Sequence, residues 1–272
     1  MRPDHLLFLH IPKTAGTTLH NLLSRQFPRN AQLETNFYKD KNQLERIPAA
    51  EREKLRLVRG HFLFGLHELF PAGSCEYTTV LREPIDRCIS NYYFVRRKRE
   101  DFKSLGAKPI SASLLELCRS GEFVFVDNMQ VRFLSGDYNA PFGSLTEAHY
   151  EAAMQHLEKH FPVVGIQENF EAYVLWLSDR YRFRFPYYRQ HRVNRTRPAV
   201  RQIDEETIAA LRACNQLDLR LYALVREKVL RQIEAGGPAF QRRIERFKKT
   251  NHFVARTLDL LPFYPKVDTH LG

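Results

Sequence analysis

Residues 13 to 18 read Lys13-Thr14-Ala15-Gly16-Thr17-Thr18, which puts an ammonium, three hydroxyls and a glycine into one short stretch. An apolar run from Leu6 to Ile11 precedes it, and Leu19, Leu22, Leu23 and Phe27 follow at helical spacing. A turn that leads from a strand into a helix aims backbone N–H groups and the positive end of the helix dipole at one point. That arrangement attracts phosphate. Here the hydroxyls add donors, Gly16 lets the backbone come close, and Lys13 supplies a point charge. The order is not that of a Walker A loop, because Lys13 precedes Gly16 and the magnesium-holding hydroxyl has no place beside it.

Two further positions have the same kind of chemistry. Arg82 ends an apolar run from Tyr77 to Leu81, and Ser90 lies about two helical turns further on, in a segment that Pro84 opens. A guanidinium binds phosphate through two parallel N–H bonds and a hydroxyl adds a third. On its own, Arg82 suits an ion pair with Asp86 or Glu83 equally well. His61 follows the run Leu55 to Val58 and Gly60, which brings it to the same edge as the other two groups. Its near-neutral pKa suits it to take a proton from a hydroxyl. The chain has 11 histidines, so position rather than residue type singles this one out.

The elements that must position these groups alternate between strand and helix. Strands are predicted at 6–11, 55–58, 77–81 and 163–166, with helices after the first and third. The polar stretch 32–54 reads as peripheral. Further helices are predicted over 126–134, closing on Gly136, over 146–160 with Thr146 as N-cap, and over 168–182. The stretch 204–234 reads as one or two helices, bent near Asn215. A basic loop spans 187–198. The alternation predicts an α/β fold with a central parallel sheet. One domain is expected over 1–235, with a C-terminal helix and tail, 236–272, packed on it.

The chain has 272 residues, 43% hydrophobic and 27% charged, which is an ordinary globular composition. Lys and Arg outnumber Asp and Glu by 42 to 31, for a formal charge of +11, so an anionic partner is expected. Cys75, Cys88, Cys118 and Cys214 form no C-x-x-C pair, which excludes a common zinc signature and suggests reduced thiols. Met1 leads almost directly into HLLFLHIP, which has neither a basic leader nor the length to span a bilayer, so a cytoplasmic location is expected.

The stretch HIPKTAGTTL resembles the 5′-phosphosulfate-binding loop of the sulfotransferase superfamily, most closely the branch of heparan sulfate 2-O-sulfotransferase and its bacterial relatives. The resemblance implies a P-loop-like three-layer α/β/α fold that uses 3′-phosphoadenosine 5′-phosphosulfate (PAPS) as donor and needs no metal. It implies that Lys13, Thr14, Ala15, Gly16, Thr17 and Thr18 grip the 5′-phosphate and that Lys13 contacts the oxygen bridging phosphate and sulfate. The stretch TTVLREPIDRCISNYYFVRRK matches the family's 3′-phosphate site, with Arg82 and Ser90 in its two roles. VRGHFLFG carries the Gly-His of the glycan enzymes, which makes His61 the general base. Some relatives have a second histidine where this chain has Arg59, which cannot act as a base and is assigned to an acidic acceptor. RVNRTRP resembles a late loop that closes over the nucleotide, which assigns Asn194, Arg195 and Thr196 to it; a solvated basic turn is the other reading. DNMQVRFLSG and FPVVGIQENFEAYV resemble family segments more weakly. The expected reaction is in-line sulfuryl transfer to a hydroxyl of a glycan or glycolipid. An ATP-dependent kinase and a basic polyanion-binding protein are the alternatives, the latter suggested by RRKR at 96–99 and RRIERFKK at 242–249. No nucleic-acid-binding signature is present.

Overall fold

The computed structural model describes residues 3–36, 43–101, 111–189 and 197–258. Strand β1 (His5–Leu9) is buried at every position, as a strand covered by helices on both faces must be. It pairs in parallel with β3 (Leu57–His61) on one side and β4 (Cys75–Leu81) on the other. β2 (Gln32–Asn36) extends the sheet past β3, and β5 (Val163–Ile166) extends it past β4. The order is β2-β3-β1-β4-β5, all parallel. From β1 the chain runs out to the β2 edge, returns through β3, then crosses to β4 on the far side. The strand order reverses beside β1, the place where sheets of this kind open a crevice at the carboxyl ends of their strands.

Helices cover both faces. Leu6 and Phe8 of β1, Leu57 of β3 and Val80 of β4 pack against α1 (Gly16–Ser24) and α7 (Phe170–Tyr181). Leu7, Leu9, Val58, Tyr77 and Leu81 face the opposite way, toward α5 (Met129–Ser135), α6 (Glu147–His160) and α9 (Gln216–Ala235). A third cluster joins α3 (Pro84–Asp101), α4 (Leu114–Ser120) and α8 (Glu205–Cys214). This is the expected three-layer α/β/α arrangement. α10 (Gly237–Leu258) lies against the α7 layer, where Phe240 stacks on Trp176 and Phe247 on Tyr187. The tail beyond it lies outside the described residues. Among the described residues, no helix is long and apolar enough to cross a membrane.

Several boundaries differ from the sequence reading, for physical reasons. The stretch 32–54 is not merely peripheral, since it contains the edge strand β2 and the short helix α2 (Ala49–Arg52). Only Thr35 of β2 is buried, so the strand shows no apolar pattern. β3 begins later than expected and runs through Gly60 to His61. Gly60 has φ +141°, and a Cβ there would lie 1.8 Å from the Thr35 carbonyl oxygen, so only glycine lets β2 approach this closely. α1 ends before Phe27, because the Arg25 and Gln26 N–H groups bond back three residues and tighten the last turn. The expected bend at Asn215 is a full break between α8 and α9.

Candidate active site

The carboxyl ends of three adjacent strands converge on the crevice. β1 leads into His10 and the Lys13 loop, β3 ends at His61, and β4 is followed at once by Arg82. The loop is held tightly. The His10 N–H donates to the Gly60 carbonyl at 2.9 Å, and the Thr14 hydroxyl donates to the Ile11 carbonyl at 2.8 Å. Lys13 (φ 72°) and Ala15 (φ 61°) both adopt left-handed backbone, a strained conformation for side chains with a Cβ that clusters at functional sites. Ala15 is the N-cap of α1 and offers no capping side chain, and the first turn contains no acidic residue. The positive end of α1 thus has neither a capping side chain nor an acidic residue of its own first turn against it. The Thr14 hydroxyl is buried and bonds within the loop.

Arg82 is buried and joins the two halves of the crevice. Its Nη1 donates to the Lys13 carbonyl at 2.9 Å, while Nε and Nη2 donate to Asp86 Oδ2 at 2.8 and 2.5 Å. The ion pair with Asp86, open at the sequence level, is therefore formed. Asp86 also accepts from Arg197 Nη1 at 2.6 Å. Burial alone would raise the Asp86 carboxyl, but Arg197 and Arg82 outweigh it and hold the pKa below the usual range. Two guanidiniums thus share one carboxylate, and the Glu168 charge also acts on Arg82. Asp86, Ser90 and Phe94 recur at four-residue spacing along one row of α3. The Lys13 ammonium sits 3.9 Å from the centre of the Phe94 ring, so this row faces the loop. Asp86 and Phe94 of this row thus contact Arg82 and Lys13, and Ser90 lies between them along the helix.

The Arg82 backbone is itself gripped. Its N–H donates to Gln130 Oε1 and its carbonyl accepts from Gln130 Nε2, both at 3.0 Å. The Gln130 and Val131 N–H groups at the start of α5 donate in turn to the buried Asp218 carboxylate of α9. Asn128, just before α5, returns the favour by accepting from the Leu217 and Asp218 N–H groups of α9. Each helix caps the other.

His61 lies on the opposite side of the loop. Its Nδ1 is 2.7 Å from the His10 carbonyl oxygen, and its ring stacks on the His10 ring at 4.2 Å. A carbonyl only accepts, so Nδ1 carries the proton and Nε2 is the basic nitrogen. Burial lowers its pKa to about 4; the His10 carbonyl opposes this and Lys13 adds to it. His61 is therefore neutral at neutral pH, and its pKa lies below the near-neutral value expected from the sequence. His20 of α1 completes an aromatic group, edge-on to His10 at 5.0 Å.

Arg59 on β3 is held by the edge strand. Its guanidinium donates to Gln32 Oε1 at 2.6 Å and Glu34 Oε2 at 3.1 Å, both on β2. The register sets Glu34 beside Arg59, so the charge assigned to an acceptor is committed to the edge strand. Asn194, Arg195 and Thr196 lie outside the described residues. Arg197, the next residue, reaches the site. Sequence reasoning missed Arg197, His10, His20, Gln130 and Asp218, although HIPKT already carried His10 and DNMQ carried Gln130.

A family model described as galactose-3-O-sulfotransferase matches residues 2–259. Heparan-sulfate 6-O-sulfotransferase 2 of Homo sapiens is 25% identical over 85% of this chain and 45% of its own length, and the Mus musculus protein gives the same figures. The chain thus spans about half the length of these relatives, and 68% of the Gallus gallus protein, also 25% identical. Among solved structures, a mouse sulfotransferase complexed with PAP is 16% identical, with a TM-score of 0.39, covering 79% of this chain and 65% of the other. Since the family match runs through every element that borders the crevice, the chain belongs to the galactose-3-O-sulfotransferase family.

Proposed function

We propose that the chain transfers a sulfuryl group from PAPS to a hydroxyl of a glycan or glycan-like acceptor. One observation carries this reading: the Lys13 loop, Arg82 and His61 stand at the carboxyl ends of three adjacent strands and are tied together through the Lys13 and His10 carbonyls. The residues present fit a nucleotide with phosphates at both ends, since the uncapped start of α1 and the Arg82–Ser90 row supply separate anion sites beside one crevice. Bound PAPS supplies the sulfuryl group and a phosphate leaving group.

The residues divide the remaining work. The N–H groups at the start of α1, with Thr17 and Thr18, hold the 5′ end. Arg82 and Ser90 take the 3′-phosphate, and Asp86 keeps Arg197 as a partner when Arg82 turns toward it. Lys13 gives up its contact with Phe94 to neutralise charge on the departing phosphate, the kind of electrostatic stabilisation that dominates phosphoryl and sulfuryl transfer. His61 Nε2 removes the acceptor's proton.

Thermal unfolding tests the donor site directly. Adenosine 3′,5′-bisphosphate at about 100 times its Kd should raise Tm by roughly 5–10 °C, whereas ATP with magnesium should not. His61→Ala should abolish transfer of label from radioactive PAPS to oligosaccharide acceptors while leaving bisphosphate affinity within about threefold, because the base touches the acceptor side alone. A rise with ATP–magnesium and none with the bisphosphate would point to a kinase and overturn the proposal.

A further inference from the structure

Cys118 and Cys214 lie 96 residues apart in the chain, yet the fold brings them together. Cys118 sits near the end of α4 and Cys214 closes α8, and these helices pack side by side in the third core cluster. The Cys214 Sγ reaches the Cys118 carbonyl at 3.8 Å, and the two thiols share a hydrogen bond. An ion pair between the neighbouring Arg119 and Glu206 clamps the same helices from outside. A disulfide needs two cysteine side chains that already face each other, and the packing of α4 on α8 supplies that condition. The other two thiols are placed differently. Cys75 lies at the start of β4 beside Ser74, and Cys88 is fully buried on α3 against Arg87 and Asn215. We propose that Cys118 and Cys214 form a redox site, at which a peroxide joins them in a disulfide that staples α4 to the end of α8. The proposal is independent of the reaction assigned to the crevice.

The pair divides the chemistry unequally. Cys214 is partly exposed and Cys118 is buried, so an oxidant arrives at Cys214. The hydrogen bond from Cys118 lowers the Cys214 pKa against the opposing effects of burial and Asp127, and the same bond, with burial, raises that of Cys118. The Cys214 thiolate attacks one peroxide oxygen, the O–O bond breaks, and the departing hydroxide takes up the proton that Cys214 released. The product is a sulfenic acid at Cys214. Cys118 then attacks that sulfur, the S–O bond breaks, and the Cys118 proton leaves with the hydroxide as a second water. Two thiols thus lose two electrons and two protons, and one peroxide becomes two waters. Asn215, the next residue, bonds through its side chain to Val126, Leu211 and the Asn128 N–H. Because the thiols already meet, those bonds stay in place, and the crosslink stabilises the fold by restricting the unfolded chain across a long loop.

Thiol counting on the full chain tests this. After treatment with hydrogen peroxide and then unfolding, wild type should retain two reactive thiols where the reduced protein shows all four. A digest under non-reducing conditions should join the peptides that contain Cys118 and Cys214. Oxidation should raise Tm by roughly 5–10 °C, and dithiothreitol should reverse the rise. Cys118→Ser and Cys214→Ser should each abolish both the bridge and the rise, with Cys118→Ala in place of the serine variant if a buried hydroxyl unfolds the protein. Cys75→Ser should change neither. Survival of all four thiols would overturn the proposal, as would a bridge through Cys75 or Cys88 or between two chains. So would Cys214 oxidised to a sulfinic acid without a bridge, or a bridged protein that melts lower than the reduced one.

Discussion

Lys13 and Arg82 carry like charges but are held in different ways, and their substitutions should separate accordingly. The Lys13 ammonium rests on the Phe94 ring, and its backbone belongs to a strained loop. Lys13→Ala should lower turnover by about 10²- to 10³-fold, the usual cost of losing one donor aimed at developing charge, with a smaller effect on bisphosphate affinity. Arg82 makes a fork that an ammonium cannot copy, since it reaches the Lys13 carbonyl and Asp86 at once. Arg82→Lys should weaken bisphosphate binding at least about tenfold by calorimetry, because loop and phosphate site lose their common tie. Its effect on stability should be milder than the roughly 3–5 kcal/mol of a stranded buried charge, because Asp86 keeps Arg197. Equal losses for both variants in turnover and in binding would contradict this division.

The elements that hold Arg82 are mostly invisible to a sequence reading. Apolar runs revealed β1, β3, β4 and β5 because those strands are buried, and helical periodicity revealed α6 and α7. β2 went unseen because a polar edge strand carries no such pattern. Lys13, His61 and Arg82 were legible because each lies at or shortly after the carboxyl end of a strand. Gln130 and Asp218 were not, since they reach the site across 48 and 88 residues through contacts that only the fold creates. Their chain of bonds makes a specific expectation. Asp218→Ala leaves the Gln130 and Val131 N–H groups buried without acceptors, at a cost of about 3 kcal/mol or a Tm fall of roughly 6–12 °C. Because Gln130 grips the Arg82 backbone, bisphosphate affinity should fall with it, even at temperatures where the variant is fully folded. A variant that loses stability but binds normally would show that α5 and α9 do not position the site.

For the whole molecule, the histidine group links the active site to acid stability. Burial lowers the pKa of His61 to about 4 and of His20 to about 3, and lowers that of His10 well below its ordinary 6.5. In the unfolded chain all three take up protons near pH 6.5, while the folded protein resists until far lower pH. The unfolded state therefore binds more protons between about pH 4 and 6.5, so stability rises with pH across that window and is lost on acidification. Activity and stability should consequently fail for different reasons. Protonation of His61 would stop turnover only near pH 4, so loss of activity at pH 5 should track unfolding, and saturating bisphosphate should slow that unfolding. His20 offers the test, because its Nε2 is buried with no hydrogen-bond partner among the described residues and it stands one ring away from His61. His20→Leu removes one buried titrating group and one orphaned nitrogen while filling similar space. Its Tm should therefore fall less than that of wild type between pH 7 and pH 5, with the two proteins closest in stability at neutral pH. Parallel Tm curves over that range would mean that the stack contributes nothing to the acid sensitivity of the fold.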